Sequence, residues 1–497
     1  MKISVQNSES KAQSLTSKVR SFGRGQAFRF WTLGFCLWTV LLAGCAVGPN
    51  YHRPAVNTTP AFRGETQAVS TNSLADVHWW QVFHDDNLQS LIRTALTNNY
   101  DVRIAVTRVE QARAALAEAR AQYFPQVDYG ASLGKGQNIG AGNVPSPTGT
   151  AGTVSSLDAN ASWEIDLWGR IRRLNEAARA QFLASWEARR EVTISLVGQV
   201  AQNYFQLLAL DRELQIARDS TNSFGQSLKI FDERLRGGVA SKLETSAAEA
   251  LMDSQAATIP QLEEQIQVQE NQLSILLGTN PGVIVRNLSS LDRQMMPDVP
   301  PGLPSSLLER RPDVREAEDQ LRAANAQVGV AKADFFPQLD LTALFGDVSP
   351  GLSALTGGGA VAWGIGAGLT GPIFHGGAIR AQYQQALAAR DQYALQYQST
   401  ILTAFQEVDN ALVARQKLAI ARGLQAHAVA AYQEAVKVAM QRYKLGNADY
   451  YEVLQEQQLL FPAENTLVQF QLNQLLSVVQ LYTSLGGGWD TGTTAAK

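Results

Sequence analysis

The sequence predicts an α+β membrane protein in which short amphipathic strands alternate with very long helices, written in two tandem copies. Three observations predict it. They are a duplication of about 210 residues, four strand-length segments of period-two alternation, and two proline-free stretches able to hold helices of nearly 70 residues. The 497 residues are 45% hydrophobic, enough for a large core, but only 18% charged, below the ~25% of an average soluble protein. Lys2, Lys11, Lys18, Arg20, Arg24 and Arg29 against Glu9 put +5 in the first 29 residues, so the remainder carries −8 of the net −3. A mature chain that is net acidic offers no basic surface for nucleic acid. Five scattered His and two Cys, Cys36 and Cys45, supply neither a zinc-ligand spacing nor a disulfide framework.

Taken in order, residues 1–44 read as a signal peptide. Phe30 to Leu42 is an uncharged run of 13 residues, shorter than the ~20 that a spanning helix needs. It ends in Leu42-Ala43-Gly44-Cys45, small residues placed directly before a cysteine, as in a bacterial lipobox. Cys45 is then the acylated first residue of the mature chain, and its covalent lipid is the one attached group expected. Residues 45–85 form a lipid-anchored N-terminal segment.

The duplication is plain in Asp101 to Asp128 against Asp313 to Asp340, where 12 of 28 positions are identical at a displacement of 212 without a gap. Asp-Val-Arg at 101 and 313 and Phe-Pro-Gln at 124 and 336 recur. At a displacement of 208, Gly238, Ala240 and Glu244 match Gly446, Ala448 and Glu452. The first repeat is residues 86–278, followed by a Pro-rich linker (279–306), the second repeat (307–486) and a tail (487–497).

Each repeat has the same order of elements. An Ala-rich helical stretch stops before Pro125 or Pro337, and two strands follow, at about 127–134 and 156–167, then 339–346 and 360–371. In the second strand the alternation is complete. Leu157, Ala159, Ala161, Trp163, Ile165 and Leu167 form one face, and Asp158, Asn160, Ser162, Glu164 and Asp166 the other. Eleven residues is the length of a transmembrane β-strand with lipid outside and water inside, so these five polar residues are the candidates for a lumen. Long helices at 168–236 and 377–444 come next, each ~100 Å at 1.5 Å per residue. Ile401, Phe405, Val408 and Leu412 show coiled-coil spacing, while Gln, Arg, Glu and Ala cover the other faces. Gly238 and Gly446 mark reversals, after which return helices occupy 244–277 and 452–485.

Four strands cannot close a barrel in lipid, because open edges leave backbone groups unpaired. The chain must oligomerise: two copies give a filled barrel of 8 strands, three give 12 with room for a pore.

Cys45 to Tyr51 (CAVGPNY), Trp79-Trp80 with Phe83, Asp85 and Leu88, the paired Phe-Pro-Gln motifs, and Arg442 to Gly446 through Leu481-Tyr482 to Trp489 closely resemble the TolC-type outer-membrane efflux channels, lipoprotein members included. The resemblance covers nearly the whole mature chain. It implies a homotrimer with a 12-stranded barrel in outer-membrane lipid and a helical tunnel across the periplasm. It also implies a periplasmic adaptor and an inner-membrane transporter of the RND type as partners, and export of small molecules. A duct for type I protein secretion is the alternative. The helix tips, with Arg236, Gly238, Lys444 and Gly446, are the expected adaptor contacts. The family's periplasmic gate maps onto Tyr451, Glu452 and Gln455, with Gln455 where many relatives carry a carboxylate.

No enzyme is predicted. Gly366 to Gly371 fits G-x-G-x-x-G, but it lies inside an alternating strand with Pro372 next, not in a strand–loop–helix unit. His78-Trp79-Trp80 to His84-Asp85-Asp86 reads as packing at an N-terminal junction in preference to a metal site.

Overall fold

The computed structural model describes residues 46–56, 61–62, 73–74, 78–82, 84–137, 151–287, 291, 304–349 and 361–487. The signal peptide, Cys45, Phe83 and Trp489 lie outside them. In order, the main elements are α1 (Asp86–Asn98), α2 (Tyr100–Ala121), β1 (Gln126–Gln137), β2 (Ala151–Ile165), α3 (Arg170–Arg236), α4 (Lys242–Ala256) and α5 (Thr258–Leu276). The second repeat supplies α6 (Pro312–Ala333), β3 (Gln338–Ser349), β4 (Val361–Thr370), α7 (Ala378–Lys444) and α8 (Tyr450–Ser484). Among the described residues no helix is long and apolar enough to cross a membrane. The chain divides into two compact units, each with contributions from both repeats.

One unit takes in residues up to His52, Ala114–Ala180 and Arg322–Asp391. Its centre is a single antiparallel sheet of order β1-β2-β3-β4, in which β2 and β3 join the two repeats through Ile165↔Leu339 to Ser155↔Ser349. β2 stops at Ile165, short of the predicted 167, because Asp166 is needed elsewhere. Its carboxylate accepts the Ile171 and Arg172 backbone N–H groups at 3.0 and 2.9 Å, donors that the start of α3 would otherwise leave unsatisfied. Trp168 then stacks on Phe336, centroids 4.7 Å apart, and donates its indole N–H to the Pro337 carbonyl at 2.7 Å. The recurring Phe-Pro-Gln of the second repeat thus seals the β2–α3 corner of the first. The segment after Cys45 is held at the same corner: Val47 donates to the Trp168 carbonyl at 2.9 Å, and Arg173 donates to Asn50 at 2.8 Å.

The second unit takes in Arg53–Arg113, Gln181–Leu321 and Gln392–Lys497. Asp85 caps α1 by accepting from the Asn87 and Leu88 N–H groups, and its other oxygen takes the Tyr204 hydroxyl at 3.0 Å. Trp79 and Val82 of the same segment are buried in the core; among the described residues no group of three or more His, Cys, Asp or Glu is placed to hold a metal. The core joins Val200, Tyr204, Phe205, Leu207 and Leu208 of α3 to Leu475, Val479, Leu481 and Tyr482 of α8, elements from different repeats. Each buried Leu or Phe there contributes roughly 1.5–3 kcal/mol.

The return helices differ from expectation. The predicted 244–277 helix is two helices meeting at Ala257, and Pro260 explains the break. In the first turn of α5 its missing N–H costs nothing, whereas deeper in one continuous helix it would forfeit a bond and clash. Pro462 does sit inside α8. There Leu460, Phe461 and Ala463 are buried, Phe461 edge-on to Phe224 at 5.3 Å, and tertiary packing carries the helix through.

A Cβ at Gly346 would meet the Leu157 carbonyl oxygen and lie 2.6 Å from the Asp158 Cα, whereas at Gly364 it would meet nothing within 4 Å. Gly346→Ala is expected to cost about 1–3 kcal/mol by overpacking the β2–β3 seam, while Gly364→Ala stays near wild type. Denaturant unfolding of both variants in detergent checks this pair.

Candidate functional site

The register sorts the sheet into two chemically distinct faces. Val127, Tyr129 and Leu133 share one face with Leu157, Ala159, Ala161, Trp163 and Ile165. Leu339, Leu341, Ala343 and Phe345, then Val361, Trp363, Ile365 and Leu369, continue it across β3 and β4. Tyr129 is 87% and Ile365 82% exposed, and Val127, Leu133, Phe345, Trp363 and Leu369 are open as well. A contiguous apolar face of this size does not stay in water. The other face carries Asp128, Ser132, Asp158, Asn160, Ser162, Glu164, Asp340 and Thr342, followed by Gly364, Gly366 and Gly368 on β4. Of the five predicted lumen residues, four therefore lie on one polar face. The fifth, Asp166, lies past the strand as the α3 cap. Glu164 is bound by Arg170, Nε to Oε1 at 2.8 Å. Of the G-x-G-x-x-G glycines, Gly366 and Gly368 fall within β4 and Gly371 one residue past its end, so the string does not run from a strand directly into a helix start.

At the reversals, Gly238 and Gly446 have φ of +76° and +73°, which only glycine adopts without strain. Both turns close with the same bonds: Val239 N–H to Arg234 O and Asn447 N–H to Arg442 O, each 2.9 Å, with Gly238 to Leu235 and Gly446 to Tyr443 at 3.0 Å. Arg236 and Lys444 are exposed beside them. Sequence reasoning passed over the exposed apolar residues at the same turns, Val239, Leu243 and Leu445, and the Arg234–Asp449 ion pair at 3.2 Å that links the two. Their signal was available, since apolar side chains at a turn have no core to enter.

Tyr451 and Gln455 are exposed on one face of α8, with Leu459 one turn on. Glu452 accepts from Arg442 at 2.6 Å, so its charge is already partnered within the chain. Behind this face runs a buried polar chain that the sequence did not reveal. The Tyr450 hydroxyl lies 2.9 Å from Ser227 Oγ, Ser227 donates to Gln457, and Gln457 donates to Ser223 at 2.9 Å. Phe231 and Tyr443 meet the Tyr450 ring edge-on, and burial raises the Tyr450 pKa. This network locks the start of α8 to α3.

A second cluster lies at the start of α6. Arg311 grips Asp313 bidentately at 2.9 and 2.6 Å and donates to Glu407 at 2.7 Å and the Ser484 carbonyl at 2.9 Å, tying α6, α7 and α8. A cavity of about 350 Å³ opens here, lined by Glu191, Arg311, Asp313, Glu407 and Gln480. Burial, then the like charge and hydrogen bond of Glu191 and the charge of Asp313, push Glu316 up to about 7. Glu191 is raised too, mainly by burial, with Arg311 opposing.

The family model described as outer membrane efflux protein matches residues 91–279 and 303–487, one match per repeat. The probable efflux pump outer membrane protein TtgC of Pseudomonas putida is 35% identical over 474 residues, 94% of this chain and 97% of that protein. The cation efflux system protein CusC of Escherichia coli is 32% identical over 458 residues, 92% of this chain and 99% of that protein. The solved outer-membrane channel OprN superposes with a TM-score of 0.80 at 29% identity, covering 90% of this chain and 100% of that one.

The Glu316 carboxyl carries a pH prediction. Its folded pKa lies above the unfolded carboxylate value, so its contribution to stability is full below about pH 4.3 and is lost as pH rises through about 7. The groups acting on it are Glu191, Asp313 and Gln320, whose amide donates to it at 2.8 Å. Glu316→Gln, which cannot ionise, is expected to flatten the fall in Tm between pH 5 and pH 8. Thermal unfolding of both proteins across that range checks the sign.

Proposed function

We propose that this chain, which belongs to the outer membrane efflux protein family, forms its channel as a homotrimer with a 12-stranded barrel. It is an outer-membrane efflux channel and not an enzyme. Three copies of a four-stranded sheet remove every lipid-exposed edge and leave a lumen that two copies would fill. The single observation that carries the barrel is the sheet's division into an apolar and a polar face, the pattern of a strand between lipid and water. Asp158, Asn160, Ser162 and Glu164 then line the water side.

The channel is the passive exit duct of a tripartite efflux system, extending from the outer membrane into the periplasm. A periplasmic adaptor meets it at the reversals around Arg236, Gly238, Lys444 and Gly446, and an RND-type transporter supplies energy and selects cargo. Relatives described as efflux pump and cation efflux proteins favour small solutes over secreted protein. Expression of the chain with its adaptor and transporter in a strain lacking its own outer-membrane efflux channels should lower drug accumulation. Unchanged accumulation with a correctly inserted channel would count against efflux.

Cys45 carries the lipid in this reading. Residues 47–50 are hydrogen-bonded to the corner where β2 gives way to α3, so an acyl group one residue upstream of Ala46 is tethered close to the end of the sheet. Cys45→Ser is expected to abolish acyl labelling while the chain still folds; labelling that persists would refute the assignment.

Tyr451, Glu452 and Gln455 form the periplasmic constriction. Three bulky tyrosines and three Gln455 amides narrow the axis, and Glu452 biases it toward cations to the extent that Arg442 releases it. Tyr451→Ala combined with Glu452→Gln should raise single-channel conductance in planar bilayers and weaken cation preference. Wild-type conductance from a trimeric double variant would place the constriction elsewhere.

A further inference from the structure

The start of α3 and the start of α7 are equivalent corners of the two repeats, and they differ in one charge. Gln126↔Ser162 and Gln338↔Thr370 are matching pairs, so β1 maps onto β3 with a displacement of 212 and β2 onto β4 with a displacement of 208. The helix starts keep the second displacement. Gly169 and Gly377 both have positive φ, and each carbonyl accepts the N–H four residues on, from Arg173 at 2.9 Å and from Ala381 at 3.0 Å.

At the start of α3 an anion is built into the chain. The Asp166 carboxylate accepts the Ile171 and Arg172 N–H groups and, at 3.1 Å, the Arg172 Nε. The same donors recur at α7 as Ile379 and Arg380, but Phe374 stands in place of Asp166 and Pro372 in place of Glu164. The first turn of α7 contains no acidic residue. Among the described residues the Ile379 and Arg380 N–H groups find no partner, and the exposed Arg380 and Lys332 side chains make no ion pair. Lys332 belongs to this corner. Its carbonyl accepts the Phe335 N–H, and the Phe335 ring meets Tyr383, one turn after Arg380, edge-on at 5.8 Å. Two cations and the positive end of a long helix therefore stand at a corner whose counterpart carries its own carboxylate.

The surroundings select the kind of anion that completes it. Leu369, Ile373 and Phe374 are 67%, 101% and 86% exposed, and they lead from the apolar face of the sheet down to the helix start. An inorganic anion gains nothing from them, whereas acyl chains cover them. Pro372 and Phe374 offer no carboxylate to an ethanolamine ammonium, so a headgroup with net negative charge fits better than a zwitterionic one.

We propose that the start of α7 binds an anionic phospholipid of the periplasmic leaflet. The Ile379 and Arg380 N–H groups, the Arg380 guanidinium and the Lys332 ammonium take its phosphate, and its acyl chains lie along Leu369, Ile373 and Phe374. The bound phosphate occupies the place that Asp166 fills in the first repeat. This proposal rests on the barrel reading and adds to it a ligand and the residues that hold it.

The test is native mass spectrometry of the full-length acylated protein, titrated in detergent with phosphatidylglycerol, phosphatidylethanolamine or inorganic phosphate. A basic residue at an anionic lipid surface is worth about fivefold in binding, so the wild type should retain phosphatidylglycerol at least about fivefold over phosphatidylethanolamine. Lys332→Gln/Arg380→Gln should bring retention down to the phosphatidylethanolamine level. Phe374→Asp, which keeps both cations and restores the carboxylate of the first repeat, should do the same; Phe374 is exposed, so this change removes no core packing. Arg179→Gln, at an exposed arginine farther along α3, should retain the lipid as the wild type does. Undiminished retention in either of the first two variants, or an equal loss in Arg179→Gln, would overturn the site. Displacement of the lipid by an equal concentration of inorganic phosphate would overturn the assignment to lipid. A wild-type protein that conducts in planar bilayers yet shows no preference for phosphatidylglycerol would overturn the proposal and leave the barrel standing. A wild-type protein that forms no channel would overturn the barrel reading itself.

Discussion

A backbone N–H or C=O left unpaired in hydrocarbon costs several kcal/mol, and this constraint organises the molecule. The four-stranded sheet presents an apolar face that belongs in lipid, yet it ends in two open edges, β1 and β4. One chain cannot satisfy both conditions, because four strands are too few to curl into a closed barrel. Closure by copies is the solution proposed for this chain. An even number of strands per chain makes it compatible with antiparallel pairing throughout.

The duplication follows the same logic. Each repeat brings two strands, a long helix and a shorter return, and neither repeat buries its surfaces alone. β2 needs β3 from the other repeat, and the α3 core is completed by α8. Arg311, at the head of the second repeat, bonds to α7 and to the end of α8 at once. The exposed faces of α3 and α7 stay wet, which is why helices of 67 residues each contain no span apolar enough for a bilayer.

Much of this was legible in the sequence because it depends on period and punctuation. Alternation from Leu157 to Ile165 reports two faces. Gly238 and Gly446 report reversals, since only glycine takes positive φ cheaply. The 12 identities between Asp101 and Asp340 report the duplication. What was not legible depends on contacts between residues far apart in the chain. Nothing local marks Ser227, Tyr450 and Gln457 as one hydrogen-bonded chain, or Glu191 and Glu316 as facing carboxyls, because each looks like an ordinary polar residue on a helix. Pro260 and Pro462 show the limit from the other side. Each follows a long proline-free run, yet one coincides with a break between helices and the other is absorbed, and the difference lies in the turn each occupies and in what packs around it.

The duplicated reversals show how a copied framework acquires a new electrostatic arrangement. Arg234, Ser241 and Glu244 of the first repeat correspond to Arg442, Asp449 and Glu452 of the second, all at a displacement of 208. In the first, Ser241 and Glu244 make a reciprocal capping box that occupies the glutamate in holding its own helix start. In the second, the serine position is Asp449, which makes no side-chain cap bond and instead takes Arg234 from the other turn. Glu452 is thereby released from capping and bonds to Arg442. That pair is about half exposed, and such pairs contribute only ~0–1 kcal/mol, so it is easily exchanged for another partner. With serine at one cap and aspartate at the equivalent other, one glutamate is committed to local structure and its counterpart is bonded to Arg442 beside Tyr451, at the face proposed to narrow the channel.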